Sequence, residues 1–162
     1  MTLHKYPVTI VDPREYPEHF NLIDVLGAWK FCSEGRNGRF ELRVLITRSK
    51  QQVNKARCNL GFGVFKDEGI DDFIETRNGD MQHILATVAA IAVNFLAEYP
   101  ELELYAEGST PARTRLYQRE IAKVIDQLPP ALAIYGLVRG IHGGFIKFRR
   151  GVNFDAFLLL KY

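Results

Sequence analysis

The sequence predicts an α+β fold in which a mostly antiparallel sheet of about seven to nine strands packs on two main helices. Two observations support this fold class. One stretch alternates apolar and other residues with a period of two, and two later stretches, at about residues 80–97 and 111–128, have the apolar periodicity of helices. Most strand-like segments come first in the chain, before the helices.

The clearest strand is Arg39–Arg48, because every second residue from Phe40 to Ile46 is apolar. Asn37-Gly38 precedes it and fits a hairpin turn, since both residues tolerate a positive φ. The other predicted strands are Tyr6–Val11, Phe20–Ser33 (one strand or a pair), Ala56–Lys66, Ile70–Thr76, Leu102–Ala106, Ala131–Val138, Gly144–Arg149 and Phe154–Leu160.

The first helix is apolar almost all round, which indicates a central helix covered on more than one side. Its main stripe consists of Ile84, Val88, Ile91 and Phe95. We expect the Asp80 side chain to cap its start, as aspartate commonly does at helix N-termini.

The composition favours one globular domain over residues 1–162. Hydrophobic residues make up 47% of the chain and charged residues 25%, which excludes disordered, collagen-like and low-complexity classes. The apolar runs are shorter than the roughly 20 residues of a membrane span, and the N-terminus lacks a signal-peptide pattern. We therefore expect a cytoplasmic protein with no membrane partner.

Charge is unevenly distributed along the chain. Residues 29–57 contain eight Lys/Arg and two acids, residues 67–107 contain one Arg and ten acids, and residues 108–162 contain nine Lys/Arg and three acids. Two interpretations stay open. Either the two basic blocks converge on one face, or they pair with the acidic block between them.

The turn before the second helix is the most informative stretch. Thr110 is a natural N-cap, Pro111 fits the first helical position, and helix starts favour anions. Ser109, Thr110, Arg113 and Arg115 are therefore candidate phosphate contacts, with Arg115 projecting into solvent. The alternative is an internal network in which Arg113 binds a carboxylate of the acidic block.

Around this turn the chain resembles an uncharacterised bacterial family, a domain of unknown function. The resemblance rests on Gly-Ser-Thr-Pro-Ala-Arg-Thr-Arg-Leu-Tyr at residues 108–117, with further matching stretches at 78–80, 84–89, 99–100, 135–137 and 151–158. It covers most of residues 30–162. It implies family membership and no particular activity.

Aromatic and basic residues alternate between Arg139 and Arg150. Phe145, Lys147 and Arg149 share one face of the predicted strand, and Ile146, Phe148 and Arg150 share the other. Sheets that hold single-stranded nucleic acid use aromatic rings beside Lys and Arg. The alternative is that the phenylalanines belong to the core and the basic residues are only solvated.

Other chemical motifs are lacking, so we expect no metal and no cofactor. The histidines do not have metal-ligand spacing, and the chain has no P-loop, Rossmann fingerprint or nucleophile elbow. Cys32 and Cys58 form no Cys-x-x-Cys pair, which excludes a zinc ribbon and a thioredoxin-type site. The expected cytoplasmic location favours two buried free thiols over a disulfide between them. The acidic residues 67–75 are typical of a solvated edge, although they also fit a divalent metal.

The first hypothesis is a cytoplasmic nucleic-acid or nucleotide-phosphate binding protein, compatible with a toxin–antitoxin or defence cassette. Its candidate contacts are Ser109, Thr110, Arg113, Arg115, Lys147, Arg149 and Arg150. The alternatives are a protein-interaction module, as a homodimer or with a small protein partner, and an enzyme that acts on a phosphorylated substrate. The enzyme is less favoured because the sequence offers no convincing nucleophile or base.

Overall fold

The computed structural model describes residues 4–16, 22–66, 69–71, 78–140 and 143–161. The described helices are α1 (Met81–Glu98) and α2 (Pro111–Val124), with short 3₁₀ turns at Pro13–Glu15 and Ile125–Gln127. The described strands are β1 (Thr9–Val11), β2 (Ile23–Gly35), β3 (Gly38–Ser49), β4 (Arg57–Lys66), β5 (Gly69–Asp71), β6 (Glu103–Ala106), β7 (Leu132–Val138), β8 (Gly144–Lys147) and β9 (Ala156–Lys161).

These nine described strands form one sheet in the order β1-β2-β3-β4-β6-β9-β7-β8, with β5 paired to the end of β4. The pairing is antiparallel everywhere except between β4 and β6. The predicted α+β class with a mostly antiparallel sheet is confirmed.

Both helices lie on the same face of the sheet. α1 lies in the connection that leads from β4 to β6, and α2 joins β6 to β7, which runs in the same direction. Each connection moves the chain the same way across the sheet. Because such crossovers are right-handed, both helices are placed on one face.

The main core fills the space between this face and the helices. On β3 the buried residues Leu42, Val44 and Ile46 point toward the helices, as the period-two pattern predicts. α1 is the central helix that its composition predicts, since eight of its residues are buried. It is also the one helix in the described part of the chain that is long and apolar enough to cross a membrane.

The predicted cap at Asp80 is wrong. The Asp80 side chain makes no capping hydrogen bond. Its carboxylate instead accepts hydrogen bonds from the Tyr6 hydroxyl, at 2.6 Å, and from Ser33 Oγ. The reason is burial: a carboxylate that is only 7% exposed needs donors, and the N-terminal segment and β2 supply them.

Several predicted boundaries differ from the structure. The first strand is only Thr9–Val11, and α2 ends four residues early in a 3₁₀ turn. The described part of the predicted segment Phe20–Ser33 belongs to one strand, β2 (Ile23–Gly35), with a bulge between Val25 and Gly27. The last strand begins at Ala156, because Phe154 turns into the core against Gly136. Most of the predicted strand Ile70–Thr76, and the acidic side chains of 67–75, lie outside the described residues.

The two cysteines are free thiols, as predicted, but the prediction that both are buried is wrong for Cys32. Cys58 on β4 is buried, and burial raises the pKa of its thiol. Cys32 on β2 is only half-buried, on the face away from the helices.

Candidate functional site

The start of α2 forms the N-terminal cap that the sequence predicts. Thr110 Oγ1 accepts a hydrogen bond from the backbone N–H of Arg113 at 3.1 Å, and Pro111 opens the helix. The backbone N–H of Gly108 donates to Thr114 Oγ1, also at 3.1 Å. The loop therefore closes on the first turn of the helix, and two N–H groups that could hold an anion are already bonded.

Ser109 and Arg113 lie beside this cap. Ser109 Oγ is buried and has no hydrogen-bond partner among the described residues. Arg113 is half-buried and interacts with another residue. Phosphate binding by Ser109, Thr110 and Arg113 stays a prediction.

The expectation that Arg115 projects into solvent is wrong. Its side chain is half-buried, and Nη1 donates to the backbone carbonyl of Phe154. One turn later, Gln118 donates to the carbonyl of Val152 and accepts from the N–H of Phe154 at 2.9 Å. The segment before β9 crosses under this side of α2, so Arg115 and Gln118 fasten the helix to it.

The basic residues near β8 separate into two places. Lys147 is exposed and pairs with Tyr135 on the sheet face away from the helices. Arg149 lies beyond the end of β8, which is two residues shorter than predicted. Arg150 donates to the carbonyl of Ala122 at 2.7 Å and contacts the Asp126 carboxylate at 3.3 Å, so it lies at the end of α2.

The predicted contacts therefore do not form one surface. Ser109, Thr110, Arg113 and Arg115 belong to α2 and the turn before it on one face, while Lys147 lies on the opposite face. Phe145 on β8 and Phe148 just after it also lie on opposite faces of the sheet. Phe148 is a core residue, and Phe145 is half-buried on the face with Lys147.

The face with Phe145 is concave. In the sheet, β8 is separated from β6 by β7 and β9. The ring centroids of Tyr105 on β6 and Phe145 on β8 are nevertheless only 6.3 Å apart. Flat strands spaced by about 4.8 Å would keep these rings far from each other, so this end of the sheet coils strongly.

Two arginines from distant parts of the chain meet these rings. The guanidinium carbon of Arg57 lies 5.1 Å from the centroid of the Phe145 ring, and Arg57 Nε is 2.9 Å from a carboxylate oxygen of Glu103. Arg139 Nη2 is 3.2 Å from a carboxylate oxygen of Glu107. We call the following six residues the concave-face cluster: Arg57, Glu103, Tyr105, Glu107, Arg139 and Phe145.

The hydroxyl of Tyr105 links the two halves of this cluster. It donates to Glu107 at 2.8 Å and lies 3.5 Å from Arg139 Nη2. Burial raises the pKa of Tyr105, and the hydrogen bond to Glu107 raises it further. Arg139 donates its own hydrogen bond to Glu107, and this bond raises the pKa of Arg139. At neutral pH Tyr105 is therefore a neutral donor, and Arg139 keeps its charge.

The ion pairs of Arg57 and Arg139 show how the charged blocks of the sequence meet on this face. Arg57 belongs to the first basic block and Arg139 to the second, while Glu103 and Glu107 belong to the acidic block. The acidic block thus pairs with both basic blocks on this face.

Only part of the concave-face cluster could be predicted from the sequence. Arg139 and Phe145 lie in the stretch that was singled out for alternating aromatic and basic residues. Arg57 and Tyr105 were missed, because they become neighbours of Phe145 only through strand order and coiling. The alternation of the strands could have shown that both residues face away from the helices. Arg57 is next to Cys58 and Tyr105 is next to Leu104, both of which face the helices, and successive residues of a strand point to opposite faces.

Most of the chain matches a known family. The model of a family of unknown function (DUF6934) matches residues 16–162. No curated protein and no solved structure matches significantly.

Proposed function

The chain belongs to this family of unknown function, and from its geometry we propose that it binds single-stranded nucleic acid on the concave face of the sheet. The supporting observation is the concave-face cluster itself. Aromatic rings and arginines from separate strands converge there on a face that neither helix covers.

Stacking is the first contribution to the proposed binding. Tyr135 and Phe145 are half-buried neighbours on this face, with exposed Lys147 beside Tyr135. Base stacking on aromatic side chains contributes about 1–3 kcal/mol per base and tolerates any sequence. The bases of a duplex are already stacked on one another, so this contact favours unpaired bases.

Phosphate contacts are the second contribution. The side chains of Arg57 and Arg139 are 36% and 54% exposed, so their ion pairs with Glu103 and Glu107 lie at the surface. Surface ion pairs contribute little stability. Breaking these pairs therefore costs little, and the planar guanidinium grips phosphate oxygens in pairs.

The experiment is a fluorescence anisotropy titration of labelled single-stranded DNA, single-stranded RNA and duplex DNA at two salt concentrations. We expect a single strand to bind more tightly than the duplex, with an affinity that falls as salt rises. Phe145→Ala should weaken binding about tenfold, since it removes a stacking surface. Arg57→Ala should weaken binding and also reduce its salt dependence.

Arg14→Ala is the matched control. Arg14 is an exposed, ion-paired arginine in the N-terminal segment, 2.7 Å from Asp12, far along the chain from the cluster. This variant should bind like the wild type. Equal affinity for duplex and single strand, absence of binding at low salt, or wild-type affinity in Phe145→Ala would each contradict the proposal.

A further inference from the structure

The opposite end of the sheet carries an apolar groove of about 500 Å³ between β1, β2 and α1. We call it the edge groove. Its lining includes Val8, Ile10, Leu26, Trp29, Phe95 and Tyr99.

The groove exists because the sheet extends further than the helix that covers it. α1 reaches Trp29, whose ring meets Phe95 edge to face at 6.1 Å. Ile10 on β1 lies opposite Trp29 on β2, yet Ile10 is 79% exposed. Val8 and Tyr99 are also exposed at 39% and 40%, so three exposed large apolar residues line one groove. Contiguous exposed apolar surface of this kind marks an interaction site.

The strand beside the groove is a short, uncharged edge strand. β1 is the first strand in the sheet, and no described strand pairs with its outer side. Its residues Thr9–Val11 include no charge, proline or glycine. At the other edge, β8 carries exposed Lys147, a residue type that discourages edge pairing.

We propose that a second copy of this chain docks at this edge, with β1 paired antiparallel to the partner copy's β1. The same patch carries both a protruding apolar side chain, Ile10, and the groove next to it. A surface with both features is self-complementary, as a two-fold interface requires. Pairing centred on Ile10 places the two isoleucines side by side at the two-fold axis, with one groove on either side of them, and continues the sheet across the dimer.

This dimer is independent of the proposed nucleic-acid binding, because it uses the other end of the sheet. It is also not implied by family membership, since β1 precedes residue 16, where the family match begins.

The experiment is sedimentation equilibrium of the full chain, without nucleic acid, from micromolar to hundreds of micromolar concentrations. The wild type should approach twice its mass of 18.5 kDa. Ile10→Lys should stay monomeric, because it places a charge on the edge and in the groove. The substitution is compatible with folding, since Ile10 packs little, and circular dichroism with a thermal melt checks this.

Val53→Lys is the matched control, because Val53 is 97% exposed and does not line the groove. It should dimerise like the wild type. A monomeric wild type, a dimeric Ile10→Lys, or equal loss of the dimer in both variants would overturn the proposal.

Discussion

The start of α2 and the concave face both carry arginines, but different groups hold them. Arg115 is half-buried and donates to a backbone carbonyl, that of Phe154. Arg57 is also half-buried, but it pairs with the carboxylate of Glu103. Losing the first arginine leaves a carbonyl without its donor, whereas losing the second leaves a carboxylate that water can solvate. The comparison separates an arginine that holds the fold from one that can exchange partners.

The largest effect is expected at the start of α2. A Cβ added at Gly108 would lie 2.6 Å from the backbone N of Thr114, which cannot move without displacing the helix. Gly108→Ala should therefore lower the free energy of unfolding by about 3 kcal/mol. Urea denaturation measures the change. Gly144→Ala is the control, because a Cβ there meets no atom within 4 Å, and equal stability of the two variants would contradict close packing at Gly108.

The next effect tests the two arginines directly. Arg115→Ala should cost about 2 kcal/mol of folding stability, because it removes a charged donor from the Phe154 carbonyl. Arg57→Ala should cost less than about 1 kcal/mol. Urea denaturation of both variants, followed by the anisotropy titration under folding conditions, separates stability from affinity. A stable Arg115→Ala with reduced affinity would reverse the comparison and restore Arg115 as a ligand contact.

The smallest effect concerns Tyr105 on the concave face. Burial, and then the hydrogen bond to Glu107, raise its pKa above the ordinary value of 10.0. The folded state therefore binds the phenolic proton more tightly than the unfolded state. This contribution to stability is complete below pH 10.0 and is lost as pH rises through the raised pKa.

Tyr105→Phe has no proton to lose, so its stability should fall less steeply above pH 10.0 than that of the wild type. Urea midpoints measured in steps of pH test this expectation. Identical alkaline profiles for the two proteins would show that the phenol of Tyr105 does not distinguish the folded from the unfolded state. Tyr6, whose pKa is also raised mainly by burial, leaves a residual slope in both proteins.

Much of the fold could be predicted from local patterns. The alternation in Arg39–Arg48 identified β3, and the apolar surface of residues 80–97 identified α1 as central. Thr110 was identified as a cap because a cap involves only neighbours in the chain. These features depend on contacts within a few residues, where sequence spacing and spatial position are nearly equivalent.

The roles of the arginines could not be predicted in the same way. Arg115 and Phe154 are 39 residues apart. Whether Arg115 meets a phosphate or a carbonyl depends on where the segment before β9 crosses α2. The prediction of a cap at Asp80 failed for a similar reason. The groups that donate to its carboxylate, Tyr6 and Ser33, lie in segments far from Asp80 along the chain.

Periodicity, caps and turns along the chain thus determine the elements and their buried faces. Strand order and coiling decide which exposed residues meet, as they do for Arg57, Tyr105 and Phe145. The extent of α1 decides which apolar residues stay uncovered, as it does for Ile10. The physical reason is that burial patterns record which side of an element faces a core, while the identity of its neighbours depends on contacts between segments far apart in the chain.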